Sequence, residues 1–273
     1  DRLMREKERN VALRVNPTDS PDVFEVCGRG ELHLSILIET MRRQGYEFQV
    51  TKPVVLYKEV NGEKYEPIER VVCDVPTESS GVVIEKLGRR RGTLAAMHGQ
   101  DRMRLEFLVP SRGLFGYRSE FLTDTRGEGV MSAVLDGYEP FKGDIPTRSS
   151  GSLVAFEAGE STSYALFNAQ ERGDLFIEPG TKVYSGMVVG RNARVGDIDV
   201  NVCKKKHMTN SRNSAAAEEA LKITGVRIPT LEEALEFIDD DELVEITPKF
   251  IRMRKRVLSA EMRRKIDSRK KQG

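Results

Sequence analysis

Residues 68–97, IERVVCDVPTESSGVVIEKLGRRRGTLAAM, decide the fold of this 273-residue chain. By apolar periodicity Ile68 to Val75 reads as a strand, Ser79 to Arg91 as a helix and Thr93 to Met97 as a second strand. Moving outward, Met103 to Val109 continues as a strand, Leu114 to Thr125 as a helix and Val130 to Leu135 as a last strand. The order βαββαβ is the ferredoxin-like split pattern.

Upstream, the charged run from Asp1 to Asn10 reads as the end of a helix without an N-terminal cap, as in a chain whose N-terminal part is missing. Val11 to Val15 and Val23 to Cys27 alternate as two half-buried strands around the turn Asn16 to Pro21. Gly30 then opens a helix with Leu34, Leu37, Ile38 and Met41 on one face, closed by Arg42, Arg43 and Gly45. Extended stretches follow at Tyr46 to Val50 and Val54 to Val60. Helix, strand, strand, helix, strand fits an α+β sandwich that lacks its first strand.

Downstream, the turn-rich run from Lys142 to Gly151 predicts a domain boundary. Short strands are expected at Leu153 to Phe156, Lys182 to Tyr184, Met187 to Arg191 and Ile198 to Val202, with a helix over Thr162 to Arg172 ended by Gly173. Thr230 and Glu233 form a capping box before a helix that buries Leu231, Ala234, Leu235 and Ile238. Strands at Leu243 to Ile246 and Phe250 to Met253 close this part, and the basic tail after Ser259 is partly helical. The expected fold class is α+β: two ferredoxin-like sandwich domains, the first truncated (1–62 and 63–143), then a mainly β C-terminal domain with helical insertions (144–262) and a basic tail (263–273).

Hydrophobic residues at 38% and charged residues at 32% suit a soluble globular chain able to bury several small cores. No run approaches a membrane span and no signal peptide is recognisable, so the cytoplasm is the expected compartment and no membrane partner is expected. Cys27, Cys73 and Cys203 lie far apart, with no spacing for zinc or a disulfide framework. There is no G-x-x-x-x-G-K-[ST] loop, no H-E-x-x-H and no G-x-S-x-G elbow, so catalytic residues, metal ligands and cofactor-binding residues are all expected to be absent. Gly28-Arg29-Gly30 reads as a plain turn, and His33 as a satisfied helical side chain.

The informative chemistry is basic. Between Val200 and Ala217 no acidic residue occurs, while Lys204, Lys205, Lys206, His207, Arg212, Asn201, Asn210 and Asn213 crowd together. Phosphates need cationic and hydrogen-bonding donors without acidic competition, although a solvated loop has the same composition. From Lys249 onward, eleven basic residues, among them Arg252, Arg254, Lys255 and Arg256, face only Glu261 and Asp267. Two basic patches in one region favour a polyanionic partner. A third cluster, Arg89-Arg90-Arg91, also complements the end of its helix. The acids Asp239-Asp240-Asp241-Glu242 are expected to pair with Arg252, Arg254 or Arg256. A protein-interaction scaffold with basic faces and a nucleotide hydrolase with an unconventional site remain as alternatives.

Gly28-Arg29-Gly30-Glu31-Leu32-His33-Leu34 resembles the third domain of elongation-factor-G-type translational GTPases. Gly113-Leu114-Phe115-Gly116-Tyr117-Arg118-Ser119, with Gly127-Glu128-Gly129, is similar to their fifth domain. The runs 165–173 (ALFNAQERG) and 235–245 (LEFIDDDELVE) resemble the BipA/TypA family specifically. The resemblance implies a ribosome-associated GTPase of stress adaptation and large-subunit assembly, whose GTPase domain, with its GTP and Mg, lies outside this chain. It implies that this part hydrolyses nothing and is monomeric. It also implies that the loop around Lys204 to Asn213 reaches the peptidyl-transferase region, contacting large-subunit rRNA and the acceptor end of A-site tRNA.

Overall fold

The computed structural model describes residues 1–145, 148, 150–205 and 223–270. The chain divides into two compact units, one formed by 53–149 and the other by 1–52 together with 150–273.

The chain opens with α1 (Arg2–Arg9), then β1 (Arg14–Pro17) and β2 (Phe24–Cys27), which pair antiparallel as a hairpin. α2 (Glu31–Arg43) follows, and Leu37 and Met41, four residues apart on one face, pack with Leu13 and Val15. β3 (Phe48–Val50) comes next. The sequence places these strands in one sandwich, but β1 and β2 pair only with each other and β3 joins the C-terminal sheet described below.

In the unit 53–149, β4 (Lys58–Val60) forms a hairpin with the start of β5 (Glu63–Pro76). α3 (Thr77–Arg89), β6 (Thr93–Gly99), β7 (Arg102–Pro110), α4 (Tyr117–Asp124) and β8 (Val130–Pro140) complete it. The strand order β8-β5-β7-β6, antiparallel throughout, is the ferredoxin-like arrangement. α3 forms because Ser79, Val83 and Leu87 repeat every four residues and so share one buried face. That face meets Val71, Cys73 and Val75 of β5, Leu105, Phe107 and Val109 of β7, and Tyr117 and Phe121 of α4. The β6–β7 turn requires glycine: Gly99 has φ +128, and a Cβ there would lie 1.9 Å from the Arg102 carbonyl oxygen. The second helix is shorter than Leu114 to Thr125, because Ser111–Gly113 forms a separate 3-10 turn before it.

The remainder of the other unit runs β9 (Ser152–Ala155), β10 (Gly159–Glu160), α5 (Ser163–Ala169), β11 (Gly173–Leu175), β12 (Lys182–Val183), β13 (Met187–Asn192) and β14 (Ile198–Val200). Among the described residues α6 (Leu231–Phe237), β15 (Glu242–Ile246), β16 (Ile251–Lys255) and α7 (Ala260–Lys270) follow. A seven-stranded sheet in the order β14-β9-β13-β16-β15-β3, with β11 also on β13, carries apolar side chains on both faces. Met187 and Val189 enter one core with Leu153, Leu166 and Leu175, while Val188 between them enters the other with Leu235, Val244 and Met253. β3 joins this sheet because Phe48 and Val50 pack against that second core, while their backbone pairs with β15 from Ile246 to Val244. No described helix is long and apolar enough to cross a membrane.

Candidate nucleic-acid interface

β16 alternates, and the alternation sorts its basic residues. Met253 and Lys255 point into the sheet's packed side, and Lys255 is 1% exposed. Its ammonium meets the carboxylates of Asp197, Asp241 at 3.0 Å and Glu242 at 3.0 Å. Glu242, opposite it on β15, is itself 0% exposed and accepts from Ser152 Oγ at 2.6 Å and from the Asp239 backbone N–H at 2.8 Å. Burial works to lower the Lys255 pKa, but Glu242, Asp197 and Asp241 outweigh it and hold the group above the ordinary lysine value. No phosphate can reach this ammonium, so Lys255 leaves the RNA-facing set that the sequence assigned it to. The acidic run is corrected with it. Asp241 and Glu242 take Lys255, and Asp239 takes Lys52 at 3.4 Å, in place of the expected arginines.

The other parity holds Arg252 and Arg254. Arg254 is half-buried: its Nε lies 3.0 Å from Glu245 Oε1, without hydrogen-bond alignment, and its Nη2 donates to Gln49 Oε1 at 2.9 Å. Glu245 also accepts from Tyr184 Oη at 2.6 Å. Arg252 differs, for its guanidinium lies 4.6 Å from the centroid of the Phe250 ring. Arg256 is exposed just past the strand. Neither Arg252 nor Arg256 pairs with a carboxylate among the described residues.

Lys204 and Lys205 are exposed at the end of a firmly tied segment. Val202 is buried, its carbonyl accepting from the Thr162 N–H at 3.0 Å, and the Lys204 carbonyl accepts from Thr162 Oγ1 at 2.6 Å. Thr162 also caps α5 through the Ala165 N–H. Asn201 is taken up by Glu157 at 2.7 Å. Lys206, His207, Asn210, Arg212 and Asn213 lie outside the described residues.

Strand directions tell which of these residues come together. β14 runs parallel to β9, β9 antiparallel to β13, and β13 antiparallel to β16. The sheet curls along this path, for Glu242 of β15 meets Ser152 of β9, and Lys255 at the end of β16 meets Asp197 just before β14. Lys249 and Phe250 precede β16 and Arg256 follows it, so they stand at opposite ends of that strand.

The tail and the third basic cluster are engaged locally. Arg263 and Arg264 both reach Asp199 on β14, and Arg263 also donates to the Leu258 carbonyl at 2.6 Å. Arg90 donates to the Gly113 and Phe115 carbonyls and pairs with Glu120 at 2.8 Å, so it braces the 113–116 loop. His33 sits between Asn10 and the Arg29 backbone amide, whose N–H donates to Nδ1. A Cβ on Gly28 would press on Leu34 at 2.9 Å, a packing reason for that glycine. All three cysteines are free, and burial pushes the Cys73 thiol up to about 12. No three His, Cys, Asp or Glu among the described residues are grouped to hold a metal.

Residues 150–260 match the TypA/BipA C-terminal domain, and residues 63–149 match the elongation factor G C-terminus. Three curated relatives carry the name large ribosomal subunit assembly factor BipA. The one from Synechocystis is 54% identical over 93% of this chain and 43% of its own length. That from Bacillus subtilis is 48% identical over 99% of the chain and 45% of its length, and that from Escherichia coli K12 46% over 97% and 44%. The chain thus spans less than half the length of these relatives.

Proposed function

The chain belongs to the TypA/BipA family, whose C-terminal part it carries, and from that premise we propose that it docks a large-subunit assembly factor onto ribosomal RNA without doing chemistry itself. The observation that carries this reading is the inequality among its cations. In a unit where Arg42, Arg254, Lys255, Arg263 and Arg264 all pair with carboxylates, Lys204, Lys205, Lys249, Arg252 and Arg256 have none among the described residues, as is also true of dispersed cations such as Arg5, Lys182 and Arg194. Cations left unpaired are those able to exchange counterions for phosphates.

On this reading Lys204, Lys205 and Arg256 meet backbone phosphates, and Lys206, His207, Arg212, Asn210 and Asn213, which lie outside the described residues, contact large-subunit rRNA and the acceptor end of A-site tRNA. GTP hydrolysis, with GTP and Mg, belongs to a GTPase domain elsewhere in the whole protein, and the cellular setting is cytoplasmic ribosome assembly under stress.

The test is binding of this chain to purified large ribosomal subunits across a salt series, beside a variant with Lys204, Lys205 and Arg256 changed to Ala. The expected result is weaker binding with a shallower salt dependence, the slope of log K against log salt falling by roughly 0.7 to 0.9 for each lost phosphate contact. Equal affinity and slope for the two proteins would remove these residues from the interface.

A further inference from the structure

Phe250 is a large aromatic residue left 54% exposed at the tip of the β15–β16 hairpin. Its position is rigid. Thr247 Oγ1 accepts from the Phe250 N–H at 2.9 Å, and the Thr247 N–H donates to the Phe250 carbonyl at 2.9 Å. The tip is also tied to the end of α2, where Arg42 Nη1 donates to the Pro248 carbonyl at 2.9 Å. The Arg252 guanidinium covers part of the ring at 4.6 Å and has no carboxylate partner among the described residues. Exposed Lys249 precedes the ring, while Arg42 and Arg43 at the end of α2 are both taken up by Glu39.

We propose that Phe250 and Arg252 form a stacking platform for one unpaired RNA base, with Lys249 holding a flanking phosphate. The proposal rests on the RNA-docking reading above and adds a contact at the end of β16 opposite Arg256. The chemistry selects a single-stranded base. An exposed ring beside two cations without a carboxylate among the described residues, Lys249 and Arg252, suits a base flanked by phosphates. A duplex keeps its bases stacked, whereas every unpaired base presents a face to an aromatic ring or a guanidinium plane. Preorganisation strengthens the case, since the ring is fixed by its hairpin before any ligand arrives.

The experiment uses the whole chain and a labelled, unstructured dodecamer of mixed adenosine and cytidine, alone or annealed to its complement. Phe250→Ala should bind the single strand roughly 5- to 150-fold more weakly than the native chain and lose its preference over duplex. Its salt slope should not change, whereas Arg256→Ala should lower that slope. The chain contains no tryptophan, so Phe250→Trp supplies a unique reporter, expected to bind like the native chain and to be quenched by the single strand. Exposure of the ring makes misfolding a poor explanation of any loss, and an unchanged melting temperature for Phe250→Ala checks this. Native-like binding by Phe250→Ala, or an unquenched tryptophan at saturation, would overturn the platform while leaving RNA docking intact. No binding of either RNA by the native chain would overturn both.

Discussion

An ammonium out of water survives only where opposite charges surround it. Lys255, enclosed by Asp197, Asp241 and Glu242, is such a group, and its loss would leave Glu242 charged at zero exposure. Lys255→Met should therefore lower unfolding stability by roughly 3–5 kcal/mol in urea titrations, the cost of breaking a buried pair from one side. Arg256→Ala, one residue on and exposed, should stay within about 0.5 kcal/mol. Comparable losses for both would contradict the placement of Lys255. Its neighbours Arg252 and Arg254 take the other strand parity, where one lies on an aromatic ring and the other beside Glu245.

Between elements, the contact of α2 with α6 places like charges together. Glu31, in the first turn of α2, is pushed up to about 7 by burial first and then by Glu236 and Glu232 of α6. A carboxyl whose folded pKa lies above its unfolded value binds its proton more tightly when folded. Its stabilising contribution is complete at low pH and is lost as pH climbs from the ordinary value of about 4.3 to about 7. Glu31→Gln should accordingly raise the melting temperature at pH 8, with the advantage shrinking toward pH 5 in calorimetric scans. An advantage independent of pH would assign the effect to something other than this carboxyl. The capping box at α6 was legible beforehand, because Thr230 and Glu233 stand three apart and need only local geometry to bond each other's backbone. The destination of β3 was not. Its three residues state an extended conformation, while its edge partner β15 lies almost two hundred residues away.

In the whole molecule, 53–149 closes its own sheet and its own core, with Glu66 held by Arg112 through Nε at 2.5 Å and Nη2 at 3.1 Å. A fragment 53–149 should fold alone and melt in a single cooperative transition by circular dichroism, since about a hundred residues with one continuous core suffice for two-state behaviour. A non-cooperative melt would mean that this core depends on contacts outside it.

The sequence by itself determined what repeats along the chain: the βαββαβ order, the buried faces of α2 and α6, the family, and the segregation of positive charge. Those features follow from neighbours within a few positions, where period and spacing carry the physics. Only the tertiary structure decided which strand completes which sheet, which acid neutralises which base, and hence which cations stay free for a partner. Charges in a run are alike on paper, and strand parity together with the surfaces that meet across the sheet buries Lys255 while leaving Arg252 and Arg256 without a carboxylate among the described residues.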